Sequence, residues 1–167
     1  MLKNIDPVLT PELLSVLATM GHGDDLVLAD ANFPAASVAA ETTYGSVIEL
    51  PGIDSQRAAR AILSVFPLDE HIATPAWSMA VTENPDVPAP IQLLVQSEID
   101  GAVGGSLPLA PIERFAFYEA ARKAFVVVRT GELQFYGDFI FRKGALRPGN
   151  LEPAGPELVA PADGTSS

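Results

Sequence analysis

The chain contains no cysteine among its 167 residues. That excludes disulfides, thiolate metal ligands and a cysteine nucleophile, and it suits a reducing cytoplasm. Basic residues are few: 10 Lys and Arg stand against 21 Asp and Glu, a formal net charge of −11. A chain this acidic is repelled by phosphate backbones and anionic lipid, so neither nucleic acid nor a membrane surface is an expected partner. Histidine is scarcer still. With only His22 and His71 present, no histidine pair at metal-ligand spacing exists, and no metal is expected. An oxygen-only cation site from Asp24, Asp25 and Asp30 is the alternative that spacing leaves open. There is no P-loop, no G-x-G-x-x-G and no G-x-S-x-G elbow, which removes nucleotide phosphate cradles and one large hydrolase class. No uncharged apolar run approaches the roughly 18 residues that span a bilayer, and the first residues, Met1 to Asp6, lack the apolar core of a signal peptide.

What is present is a folding composition. Hydrophobic residues make up 48% and charged residues 19%, enough to build one buried core of a single domain. The mean hydropathy of +0.24 is high for so small a protein. Surplus apolar surface on a small domain points to burial by self-association, hence a homo-oligomer. The cations are unevenly placed, with seven of the ten between Arg114 and Arg147. A cationic donor in any active site is therefore expected from the last third of the chain. Arg129, Arg142, Lys143 and Arg147 read as solvated strand ends and a terminus.

Helices and strands alternate. Thr10-Pro11-Glu12 has the chemistry of a helix start, and Leu13, Leu14, Leu17 and Ala18 follow at helical spacing until Gly21. Leu26 to Asp30 and Val47 to Leu50 read as strands. Asp54 can cap a helix that ends before Pro67, and Trp77 to Val81 reads as a further strand. A proline-rich loop from Glu83 to Pro90 precedes a helix over Ile91 to Ile99. Gly101 to Pro111 reads as irregular, Ile112 to Ala124 as a helix and Phe125 to Thr130 as a strand. Gly131-Glu132 would turn the chain into a last strand, Phe135 to Phe141. The pattern predicts an α/β domain with a central sheet flanked by helices, over residues 1–147. The segment 148–167 holds four prolines and three glycines, a composition expected outside the core.

Few residues offer chemistry. In Met20-Gly21-His22-Gly23-Asp24, His22 follows a predicted helix end, where free carbonyls and nearby aspartates favour its protonated form. It can serve as a general acid near neutral pH, or simply cap the helix. Asp30 ends an apolar strand, a common position for functional groups in α/β folds, but it can equally form an Asx-turn with Asn32. Arg114, Tyr118 and Ala121 share one helical face. Arg114 can pair with Glu113 or an acid of a neighbouring subunit, and Tyr118 can be a core tyrosine. Phe115 and Phe117 give this helix apolar area to bury. Tyr136-Gly137-Asp138 places a phenol, a flexible backbone and a carboxylate within the last predicted strand, and a strand glycine often marks close approach of a ligand.

Together these segments resemble the family that contains L-fucose mutarotase and D-ribose pyranase, on its fucose side. The likeness rests on Thr-Pro-Glu-Leu-Leu, Met-Gly-His-Gly-Asp and Ala-Asp-Ala-Asn-Phe-Pro between Leu9 and Pro34. It continues through Glu113 to Glu119, Lys123-Ala124-Phe125, Thr130-Gly131-Glu132, Tyr136-Gly137 and Lys143-Gly144. The resemblance implies a small α/β sandwich assembled into oligomers, decamers among them, with sites near subunit contacts. It implies a mutarotase interconverting the anomers of L-fucose or a similar aldose, with no organic cofactor or metal and a monosaccharide as its partner. His22 matches the family's proton donor; Asp30, Arg114 and Tyr136-Gly137-Asp138 match its sugar-binding positions, with Tyr118 beside them. The ribose branch usually carries histidine where Arg114 stands. The third residue of the tyrosine-glycine segment is usually asparagine, and here it is Asp138. A ribose-type mutarotase and a sugar-binding protein without turnover are the rival readings.

Overall fold

The computed structural model describes residues 2–146; the segment 148–167, expected outside the core, lies outside the described residues. Eleven elements occur in the order α1 (Pro11–Thr19), β1 (Asp25–Ala29), α2 (Ala35–Ala39), β2 (Val47–Leu50), α3 (Ser55–Leu63), β3 (Ala76–Met79), α4 (Pro90–Val103), β4 (Leu109–Ile112), α5 (Arg114–Arg122), β5 (Val126–Thr130) and β6 (Phe139–Arg142). The strands form one mixed sheet in the order β2-β5-β1-β6-β3-β4. β1 lies parallel to β5 and antiparallel to β6, at the middle of the sheet.

Both faces of the sheet are covered, which is why β1 and β5 read as unbroken apolar runs rather than alternating ones. Successive side chains point to opposite faces. Leu26 and Leu28 pack with Leu13, Leu17, Ile62 and Ile99 of α1, α3 and α4. Val27 and Ala29 pack on the other side with Val38 of α2 and Phe117 and Ala121 of α5. The result is a three-layer sandwich whose parallel strands β1 and β5 end together, close to the loops that carry most of the candidate residues.

Helix starts follow local chemistry. Thr10 Oγ1 accepts the Leu13 N–H at 3.2 Å, and Asp54 Oδ1 accepts that of Arg57 at 2.7 Å. Glu113 likewise receives the N–H groups of Phe115 and Ala116; it therefore caps α5 rather than pairing with Arg114.

Several expectations need correction. Helix α4 runs on through Gly101 to Val103 and stops where Gly104 takes φ of 65°. Leu109 to Pro111, expected to be irregular, form with Ile112 the outermost strand, an edge position where Pro111 need supply no second ladder of N–H bonds. Ile112 accordingly belongs to β4, and α5 is shorter than the predicted helix. Of the last predicted strand, Phe135 to Phe141, only the part from Phe139 on is strand, and β6 continues one residue further to Arg142. It does not form a hairpin with β5, because β1 lies between them. Phe117 is buried as expected, but Phe115 is exposed.

Two of the supposed solvated cations are structural. Arg142 binds Asp25 through Nε and Nη2, both at 2.8 Å, and its guanidinium stacks 5.1 Å from the Trp77 ring centroid. Lys143 Nζ donates to the Leu17 and Met20 carbonyls at 2.6 Å each, closing the C-terminus of α1. The next residue is fixed by proximity. A Cβ on Gly144 would meet the Leu68 carbonyl, its carbon 2.7 Å away, while the Gly144 N–H holds the Pro67 oxygen at 2.8 Å. Gly144→Ala is expected to destabilise the fold by about 1–3 kcal/mol, as forced overpacking does. A lower urea midpoint at unchanged slope checks this.

Candidate active site

Asp30 is the first residue past the end of β1 and is buried there. Its Oδ1 accepts the Asn32 N–H at 2.8 Å, so the Asx-turn is real. The turn does not exclude function, because the same carboxyl borders a cavity of about 510 Å³. The Asp30 N–H donates to Asp138 Oδ1 at 2.9 Å, tying two buried carboxyl groups from distant parts of the chain together. Burial raises the Asp30 pKa above the usual carboxylate range, partly opposed by backbone N–H groups. Burial, then the neighbouring Asp30 charge, pushes Asp138 up to about 7.

Tyr136-Gly137-Asp138 is a loop before β6, not strand interior as expected. Tyr136 adopts φ of 64°, an uncommon conformation for a bulky residue. Buried polar groups hold this backbone. Gln92 Nε2 donates to the carbonyls of Met79 (2.8 Å) and Tyr136 (3.0 Å). Ser55 Oγ donates to the Gly137 carbonyl at 3.0 Å. Glu132 accepts the N–H groups of Ser55 and Gln134. Gly137 is needed for space: a Cβ there would stand 2.9 Å from Glu132 Cγ and 3.3 Å from Asp30 Cβ. The Tyr136 hydroxyl donates to Glu83 Oε2 at 3.0 Å.

The remaining wall comes from α5. Tyr118 leans on the buried Phe33 ring, centroids 5.5 Å apart, and the Arg114 guanidinium lies 5.8 Å from the Tyr118 centroid. Asp30, Arg114, Tyr118, Tyr136 and Asp138 thus line one cavity. Gly137 braces it from behind. One cation, three carboxyls (Asp30, Glu83 and Asp138) and two phenols around a space of this size, with the Phe33 and Phe135 rings beside them, suit a small polyhydroxylated ligand. Hydroxyls find donors and acceptors, and a carbon–hydrogen face finds aromatic surface.

His22 stands elsewhere. It precedes β1, whereas Asp30 follows it, so the length of β1 separates them by roughly 16 Å at the usual rise per strand residue. Nor is His22 the cap of α1, a place taken by Lys143. Its Nε2 lies 3.1 Å from Asp69 Oδ2; the imidazole is 54% exposed and the carboxylate 5%. Burial works to raise the Asp69 pKa, but the His71 N–H and the His22 ring outweigh it and hold that carboxyl below its ordinary range. Asp24 and Asp25 share this end of β1, engaged by the Gly21 N–H and Arg142, so the three aspartates do not converge.

Sequence reasoning missed Ser55, Asp69, Glu83, Gln92 and Glu132. For Gln92 a signal existed: a polar residue among Ile91, Val95 and Ile99 on the buried side of α4. The others serve through partners more than 40 residues away, which no local pattern reveals.

The architecture and pocket define a small α/β protein with a sugar-sized site at the ends of its central strands. The chain belongs to the RbsD / FucU transport protein family, whose model matches residues 3–146. It is 46% identical over 155 residues to the fucose mutarotase of Danio rerio, covering 88% of this chain and 95% of that protein. It is 40% identical over 144 residues to the L-fucose mutarotase of Haemophilus influenzae (strain 86-028NP), covering 86% and 96%. The fucose mutarotase of Streptococcus pneumoniae, solved in complex with L-fucose, superposes with a TM-score of 0.78 at 35% identity, covering 87% and 100%.

Proposed function

We propose that this protein is an isomerase, a mutarotase that interconverts the α and β anomers of L-fucose. The observation that carries the reading is the cavity uniting Asp30, Arg114, Tyr118, Tyr136 and Asp138 in a chain 40–46% identical to fucose mutarotases. Mutarotation requires a proton delivered to the ring oxygen and one removed from the anomeric hydroxyl. The C1–ring oxygen bond then opens to the aldehyde, and reclosure on the other face regenerates both protonation states. No net redox change or external nucleophile is involved. Arg114, Asp30 and Tyr136 fix the hydroxyls, so little orientational freedom remains to be lost at the reacting carbon.

The proton donor is His22, and it acts on the pocket of a neighbouring copy. Two features support this. His22 is too far from its own cavity, yet its exposed imidazole is held by a buried carboxylate. Phe135 of the cavity wall, Leu133 two residues before it and Phe115 next to Arg114 are each more than 70% exposed, apolar surface that suits burial against another subunit. The protein is accordingly a homo-oligomer in this reading, of the ring or decamer type. A chain without cysteine suits a reducing compartment, and the proposed location is the cytoplasm. Among the described residues no helix is long and apolar enough to cross a membrane.

Saturation-transfer NMR between the two anomeric proton signals of L-fucose tests the function. Exchange should accelerate with protein, and more for L-fucose than for D-ribose. Unchanged exchange of fucose beside a folded protein would reduce the pocket to a binding site without turnover.

A further inference from the structure

Asp138 carries more than a neighbour's N–H. Its side chain is 4% exposed and borders the cavity, and Oδ1 is occupied by the Asp30 N–H at 2.9 Å. Its other oxygen receives no hydrogen bond from the described residues. Asp30 beside it is also 4% exposed, and its Oδ1 already receives the Asn32 N–H. Two buried carboxyl groups therefore face one small space.

We propose that Asp138 meets the sugar as a protonated carboxyl, donating a hydrogen bond to a ring hydroxyl from the oxygen the protein leaves free. This rests on the reading of the cavity as a sugar site. A hydroxyl has one proton to give and two lone pairs to accept with, whereas an ionised carboxylate only accepts. A hydroxyl seated against both groups gives its proton to Asp30 and must then accept from Asp138, which only the protonated form allows. The alternative puts two adjacent anions around one hydroxyl, whose single proton can serve only one of their two inward oxygens.

The surroundings favour the proton. Asp30 faces Asp138 from the end of β1, and Glu132 and Tyr136 come from the loop before β6. Glu83 approaches from the segment after β3, taking the Tyr136 hydroxyl. Arg114 from the start of α5 is the cation set against them. Acids outnumber bases here, and burial with the Asp30 charge holds Asp138 near 7. Asp138 is thus mainly protonated at pH 6 and mainly ionised at pH 8. If only the protonated form binds, apparent affinity falls by the protonated fraction, about tenfold for one pH unit above the pKa.

Calorimetric titration of L-fucose into the full-length protein and into Asp138→Asn, from pH 6 to pH 8.5, tests this. The wild-type dissociation constant should rise about tenfold between pH 6.5 and pH 8. Binding at pH 8 should take up a proton, read by comparing buffers of different ionisation enthalpy. Asp138→Asn, whose amide donates at every pH and whose oxygen still accepts from Asp30, should show neither effect. Any pH effect that arises outside Asp138 is common to both proteins and cancels in the comparison. Infrared difference spectra of the wild type should also show a carboxylic-acid stretch at pH 6 that fucose perturbs. Identical pH dependence in the two proteins, or wild-type binding that tightens with rising pH, would overturn the proposal while leaving the sugar site intact. No fucose binding at any pH would remove the sugar site itself, and the role of Asp138 with it.

Discussion

Replacing His22 by alanine is expected to slow fucose anomer exchange by about 10²–10⁴-fold, the usual contribution of a positioned general acid. Sugar affinity should change little, because the cavity proposed to hold the hydroxyls lies at the other end of β1. The split between rate and affinity is the diagnostic feature. A merely structural histidine would lower stability and leave exchange per folded molecule unchanged. Removing His22 does deprive Asp69 of a partner, but that carboxylate keeps the His71 N–H at 3.2 Å, so the fold should survive. Saturation transfer gives the rate, and calorimetric titration of fucose gives the affinity. An undiminished rate would take His22 out of the mechanism, whereas a parallel loss of affinity would make it a binding residue.

A second large effect is expected from mixing two inactive variants. Arg114→Ala cripples the cavity and His22→Ala removes the donor, so each alone should exchange fucose poorly. If the donor comes from a neighbouring copy, hybrid oligomers contain sites with an intact cavity on one subunit and an intact His22 on the next. With random assembly of equal amounts, about a quarter of the sites regain both, as the symmetry of repeated contacts requires. Co-expression of the two chains and saturation transfer on the purified mixture measures this directly. Both substitutions are at exposed positions, so neither should disturb folding. Activity no greater than the sum of the separate variants would mean that no site is shared between copies.

Much of this fold was legible in the sequence for local reasons. Thr10 and Asp54 mark helix starts because their side chains satisfy N–H groups three residues on. β1 and β5 were legible as short unbroken apolar runs because both of their faces are buried. The cavity-lining residues Asp30, Arg114, Tyr118, Tyr136 and Asp138 were reachable as chemistry-bearing residues in strand-end, helix-face or glycine-marked positions, and a resemblance then drew them together.

Other features have no local cause. The five-residue helix α2 follows Pro34 with no side-chain cap and too few residues for a readable periodicity. Phe135 looks like strand because it is aromatic and two residues before a glycine, yet its ring is 74% exposed. Strand pairing begins only at Phe139, where the chain enters the slot between β1 and β3. Composition and short-range pattern determined the layers, the helix caps, the core strands and the kind of chemistry the chain can perform. Tertiary structure alone decided that β6 lies beside β1, that Asp138 is tied to Asp30, and that His22 and the cavity sit at opposite ends of one strand. Those relations depend on hydrogen bonds between residues far apart in the chain, and their partners exist only once the sheet has closed.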